Sequence, residues 1–207
     1  MKEQYLHRKF EHIYNVIRTP RFLSLEALGG EIPFWISAYD PQHEVPVNQE
    51  IHNLVARLKS NDNISAHLVN LFELSISIAD EHLGREKLHE TEIKKSGRKR
   101  KSDESHQDKT RFKKAMQSIV NVHERLIPSI RSQLEDKKPN LLLINGVGAV
   151  YPFIRSHTIL NNLQSAVTDI PTLMFFPGTY TGRSLELFGL LKDDNYYRAF
   201  NIDQYKV

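Results

Sequence analysis

The residues best placed to do chemistry follow the apolar run Leu141 to Ile144, in the stretch Asn145 to Asn162, NGVGAVYPFIRSHTILNN. A buried strand that ends in two glycines and opens a helix is where α/β proteins bring ligands or partners, because loops and helix N-termini there present unpaired N–H groups. Two further polar loops follow expected strands, Tyr39 to Pro41 and Pro177 to Arg183. Asn145, Arg155, Tyr180 and Arg183 could together form an anion-binding or partner-binding surface, since guanidinium groups pair well with phosphate and carboxylate. Gly146 and Gly148 could equally serve only a tight strand-to-helix corner.

The loop lacks the residues of each named catalytic or nucleotide-binding motif. A phosphate-binding P-loop needs Gly-Lys-Ser/Thr, whereas Ala149 and Val150 follow Gly148. A dinucleotide fingerprint needs a third glycine where Tyr151 stands and a later carboxylate at a strand end, whereas Asp169 precedes its strand. Ser156 and His157 are neighbours, so a helix points them apart, and no Gly-x-Ser-x-Gly elbow exists. Ser156 is expected to start a helix. The ten histidines include no His-Glu-x-x-His, and the chain has no cysteine, so no thiolate nucleophile, disulfide or zinc-thiolate site is possible. Paired-acid chemistry would have to draw on Asp40 or on Asp193 and Asp194. The expectation is a protein with no catalytic residues, metal or cofactor.

Composition sets the class. With 207 residues and 40% hydrophobic content, the chain suits one globular domain. The polar start MKEQYLHRKF and the lack of a run of about 20 apolar residues predict a cytoplasmic protein. The net charge of +3 is unevenly spread. Lys94, Lys95, Arg98, Lys99, Arg100 and Lys101 supply six of 28 basic residues; the remaining 22 face 25 acidic ones. That basic run is either a solvated excursion or an electrostatic contact for nucleic acid, and it has no interleaved aromatics for base stacking.

The elements that must position these residues are read from periodicity. Leu6, Phe10, Ile13 and Ile17 predict a helix that stops before Pro20. Ile32 to Tyr39 reads as a strand, and Val47, Ile51, Leu54, Val55 and Leu58 line a helix ended by the turn cluster Ser60 to Asn63. His67 to Leu71 reads as a strand; Phe72 to Ile78 fits both templates and is assigned to helix. Residues 84–109 form an expected polar, basic excursion. Phe112 to Leu134 carry a long helical stripe, bent or restarted at Pro128.

The last third gives strand Leu141 to Ile144, a helix through Ile154 to Leu163, and strand Thr172 to Phe176, ended by Pro177 and Gly178. LLLI and TLMFF are unalternating, as a sheet covered on both faces requires, and the helix between them supplies a parallel crossover. Asn195 to Ile202, NYYRAFNI, predicts an edge strand in which Tyr196 and Tyr197 pack or, beside Arg198, contribute to an interface. The fold class is α/β, a single three-layer domain over residues 1–207 with a four- to five-stranded, mostly parallel sheet.

GEIPFWI from Gly30, NGVGAVYPFIRSHTILNNLQ from Asn145, MFFPGTYTG from Met174 and LFGLLKDDNYYRAF from Leu187 together resemble the BrxB family of bacteriophage exclusion (BREX) systems. The likeness runs from the first helix to Phe200 and is most specific in the C-terminal third. It implies a cytoplasmic bacterial or archaeal protein that helps block phage replication alongside a methyltransferase, an ATPase and PglZ, the partner named first. It brings no catalytic motif. The family-like positions include Asn161, Asn162, Gly178 and Asn195 besides Asn145, Gly146, Gly148, Tyr151, Arg155, Tyr196, Tyr197 and Arg198. The implied function is an assembly or adaptor subunit, with a nucleic-acid or nucleotide sensor as the alternative.

Overall fold

Alternate residues of each central strand enter opposite cores, which is the consequence of the two-residue strand period in a sheet covered on both faces. Trp35 and Tyr39, Leu141 and Leu143, and Leu173 and Phe175 join one cluster; Phe34 and Ile36, Leu142 and Ile144, and Met174 and Phe176 join the other. The computed structural model describes residues 2–25, 34–83, 113–193 and 199–206.

The strands are β1 (Phe34–Tyr39), β2 (Ala66–Asn70), β3 (Leu141–Asn145), β4 (Thr172–Tyr180), β5 (Leu185–Leu187), β6 (Leu191–Asp193) and β7 (Phe200–Asn201). The main sheet runs β2-β3-β4-β1-β7, and every pair in it is parallel. Helices α1 (Lys2–Ile17), α2 (Pro20–Leu23) and α3 (Glu44–Asp62) cover one face. The other face is covered by α4 (Leu71–Leu83), helical residues 113–119, α5 (Ile127–Lys137) and α6 (Ser156–Ala166). The expected three-layer α/β domain is therefore present, with an antiparallel arm added.

That arm corrects the expected end of β4. The strand continues through Pro177 and Gly178 and changes partner there: Tyr39↔Pro177 is the last parallel pair with β1, and Gly178↔Leu187 opens antiparallel pairing with β5. Pro177 still accepts through its carbonyl from the Phe188 N–H at 2.9 Å. A Cβ on Gly178 would lie 2.1 Å from the Glu186 carbonyl oxygen, so only glycine allows the crossing. The third loop, Pro177 to Arg183, is thus mostly strand.

The long helical stripe is also interrupted earlier than expected. Helical residues 113–119 stop before Asn121, whose side chain accepts from the N–H groups of His123 (3.1 Å) and Glu124 (3.3 Å) and starts a π-helical turn, Val122–Leu126. Pro128 sits in the first turn of α5, where a missing N–H costs nothing. Of the expected edge strand, the described part is only β7, which lies beside β1; Ile202 already belongs to the 3-10 turn Ile202–Gln204. That turn is held down by Lys9 of α1, whose Nζ contacts Asp203 Oδ1 at 2.6 Å and donates to the Ala38 carbonyl at 2.9 Å. Burial pushes the Lys9 ammonium down, and Asp203 opposes that shift. Among the described residues, no helix is long and apolar enough to cross a membrane.

Candidate functional site

Because β1, β2, β3 and β4 run in one direction, the segments after Tyr39, Asn70 and Asn145 and the arm beyond Phe176 share one end of the sheet. That end has a buried floor. Asn145, only 1% exposed, donates from Nδ2 to Asn48 Oδ1 at 2.8 Å. Asn48 donates to Glu44 Oε1 at 3.2 Å, and the Tyr39 hydroxyl donates to Glu44 Oε2 at 2.5 Å. Burial first, and then the Glu44 bond, push the Tyr39 phenol far up, so it keeps its proton. The chain Tyr39, Glu44, Asn48, Asn145 ties β1, α3 and β3 together. Its Tyr39 proton stays bonded to Glu44, an arrangement suited to holding the loop. Asn145 Oδ1 and both ring nitrogens of His43 are buried with no hydrogen-bond partner among the described residues.

On the other side of β3, Asn70 pairs in register with Asn145. Its Oδ1 accepts from the N–H groups of Phe72 (3.0 Å) and Glu73 (3.2 Å), capping α4. Gly146 is confined by this cap. At φ +74, a Cβ there would stand 2.6 Å from Asn70 Oδ1. Gly148 has a different reason, since its Cβ would meet Phe188 Cε1 at 2.8 Å and Pro177 Cγ at 3.0 Å. Both glycines of the motif, then, answer to packing against named neighbours.

Above the floor is an exposed rim. Tyr151 (39% exposed) meets Phe188 (37%) edge-to-face, with ring centroids 6.4 Å apart. Leu190 (82%) and Leu191 (39%) continue the patch, Val45 (80%) follows β1, and Phe72 (41%) follows β2. Six of the seven exposed large hydrophobics among the described residues thus lie at the carboxyl end; Tyr5 on α1 is the other. Phe188 and Gly189, at φ +59 and +68, form a turn in left-handed backbone that presents the Phe188 ring to the glycine loop.

The residues singled out by sequence are therefore divided. Asn145 and Tyr180 are buried, and the Tyr180 hydroxyl donates to the Ala199 carbonyl at 2.6 Å. Tyr151 and Arg155 are exposed on the rim, Arg155 as the extended residue immediately before α6, where Ser156 is the first helical residue as expected. Arg183 is exposed in the turn at the far end of the arm. No ion-pair partner of Arg155 or Arg183 occurs among the described residues. Asn195, Tyr196, Tyr197 and Arg198, the basic residues Lys94 to Lys101, and the excursion 84–109 lie outside the described residues. Missed by sequence reasoning were Asn48, Asn70, Phe188 and Leu190; the run LFGLL after a Pro-Gly pair was the available signal for the last two.

At the opposite end of the sheet, a cleft of about 410 Å³ opens between the C-terminal ends of α5 and α6. Its charged walls, Arg131, Glu135, Lys138 and Asp169, mix both signs, and it contains none of the residues singled out above.

Residues 67–202 match a family model described as BREX protein BrxB. A protein of Bacillus cereus (strain H3081.97) named BREX protein BrxB is 36% identical over 198 residues, spanning 95% of this chain and 97% of its own length. The chain belongs to the BrxB family. A second BrxB, from Escherichia coli O9:H4 (strain HS), is 26% identical over 202 residues, 98% of this chain and 94% of its own. No solved structure matches the chain. The BrxB model spans the Asn70 cap, the glycine loop and the arm, while both BrxB relatives extend the likeness over β1 and α3 as well.

Proposed function

We propose that this chain is a non-catalytic assembly or adaptor subunit of a BREX phage-defence complex, acting through protein contacts, with PglZ as its first partner. The observation that supports the reading is the rim: a folded chain that exposes Val45, Phe72, Tyr151, Phe188, Leu190 and Leu191 at one end of its sheet has an apolar surface suited to a partner. Tyrosine and arginine, present here as Tyr151 and Arg155, are the residue types that carry most binding energy at such contacts. The polar floor fits the same reading, because its groups brace the loop.

The test is co-purification of the tagged chain with PglZ expressed from the same defence locus. Recovery of PglZ in a stable ratio is expected. A clean chain from which PglZ washes away, with fold intact, would remove this reading.

A further inference from the structure

The rim is charged in a pattern that follows strand order. Reading across the sheet, β2 is followed by exposed Glu73 beside Phe72, β3 by exposed Arg155 near Tyr151, β4 by the arm that carries Arg183 and the Phe188 to Leu191 patch, and β1 by exposed Asp40 near Val45. Arg155 therefore occupies a central loop, Arg183 the far end of the arm, and the two carboxylates the flanking loops. Among the described side chains, Glu44 binds Tyr39 and Asn48, Glu186 accepts from Thr179 Oγ1 at 3.2 Å, and Asp40 accepts from the Gln42 N–H at 2.9 Å. Arg155 and Arg183 have no such partner among the described residues.

Resting on the adaptor reading, we infer that the rim takes an acidic, apolar segment of a protein partner, whose aliphatic or aromatic side chains cover Tyr151, Phe188 and Leu190 while a carboxylate pairs with Arg155. The physical reason is desolvation. A partner that covers the Tyr151–Phe188 patch and the exposed Arg155 of the same loop removes water from that guanidinium, and an arginine buried without an anion is costly. A carboxylate repays that cost with two parallel charge-assisted hydrogen bonds. Nucleic acid satisfies Arg155 less well, because its phosphates meet Asp40 and Glu73 at both flanks and leave Leu190 without an apolar contact. A basic segment would face like charge at the centre of the patch.

The experiment measures the affinity of intact PglZ for the full chain and for Leu190→Asp, Arg155→Glu, Arg155→Gln and Glu73→Lys, with thermal unfolding as the control for folding. Leu190 is 82% exposed, so Leu190→Asp keeps the fold. Expected are a loss of about tenfold or more for Leu190→Asp and Arg155→Glu, a smaller loss for Arg155→Gln, unchanged or tighter binding for Glu73→Lys, and weaker binding as salt rises. Intact binding by folded Leu190→Asp and Arg155→Glu would overturn the inference while leaving the adaptor reading in place. Weaker binding by Glu73→Lys together with unchanged Arg155→Glu would overturn the charge assignment. Tight DNA binding that falls with Arg155→Glu but ignores Leu190→Asp would overturn the protein partner. Absence of any PglZ binding by the wild-type chain would overturn both.

Discussion

Asn145 to Gly148 and Tyr151 to Arg155 belong to one loop but obey different constraints. In the first segment, Asn145 is buried and donates to Asn48, its Oδ1 has no partner among the described residues, and each glycine is required by an identified neighbour: Asn70 Oδ1 at Gly146, Phe188 and Pro177 at Gly148. In the second, Tyr151 and Arg155 face outward, and Tyr151 meets another exposed ring, that of Phe188. A distinctive sequence motif can therefore combine two roles, with its glycines building a platform and its aromatic and basic residues using it. Substitutions in the floor should cost stability, and substitutions in the rim should cost binding.

The largest stability loss is expected at the foot of the arm. Gly178→Ala must push the Glu186 carbonyl away from a Cβ that would sit 2.1 Å from it, and a loss of about 3 kcal/mol in denaturant unfolding is expected. Next comes Gly146→Ala, at about 2 kcal/mol from left-handed strain and the clash with Asn70 Oδ1. Asn70→Ala removes the α4 cap and should cost about 1 kcal/mol. These two are coupled, which sharpens the picture of the floor: in the Asn70→Ala background the Oδ1 clash is gone and the 3.3 Å approach to the Leu71 nitrogen and the backbone strain remain, so Gly146→Ala should cost less, about 1 kcal/mol. Strict additivity would place the Gly146 constraint elsewhere. Smallest of all, Leu190→Asp should change stability by less than about 0.5 kcal/mol, and a loss comparable to Gly178→Ala would show that the rim is part of the core.

Much of the fold was legible because periodicity is a local signal. LLLI and TLMFF could only be buried on both faces, and Leu6, Phe10, Ile13 and Ile17 could only be a helix stripe. Pro177 and Gly178 misled because that pair usually ends a strand, whereas here it lets β4 exchange β1 for β5; the need for glycine arises from Glu186, which only the folded arm brings near. Asn121 similarly outcompeted Pro128 as the helix break, since a side-chain cap stops a helix that the apolar stripe would continue. At the site, Tyr151 and Arg155 were legible by type and position. Asn145, expected at the surface, is buried, because its partner Asn48 lies on a helix distant in sequence. Tyr180, also expected at the surface, is buried for the same reason: its partner Ala199 comes from a later segment. The exposure of Phe188, Leu190 and Leu191 could not be read from LFGLL, since an apolar residue's exposure depends on what the rest of the chain places over it.

The most direct test of the rim as an interface is amide hydrogen exchange on the chain alone and in complex with PglZ. Added protection is expected in residues 40–46, 71–74, 147–155 and 188–191, the four segments at the carboxyl end of the sheet. Protection confined to the outer surfaces of α1 and α3, or to the cleft between α5 and α6, with those four segments unchanged, would contradict it.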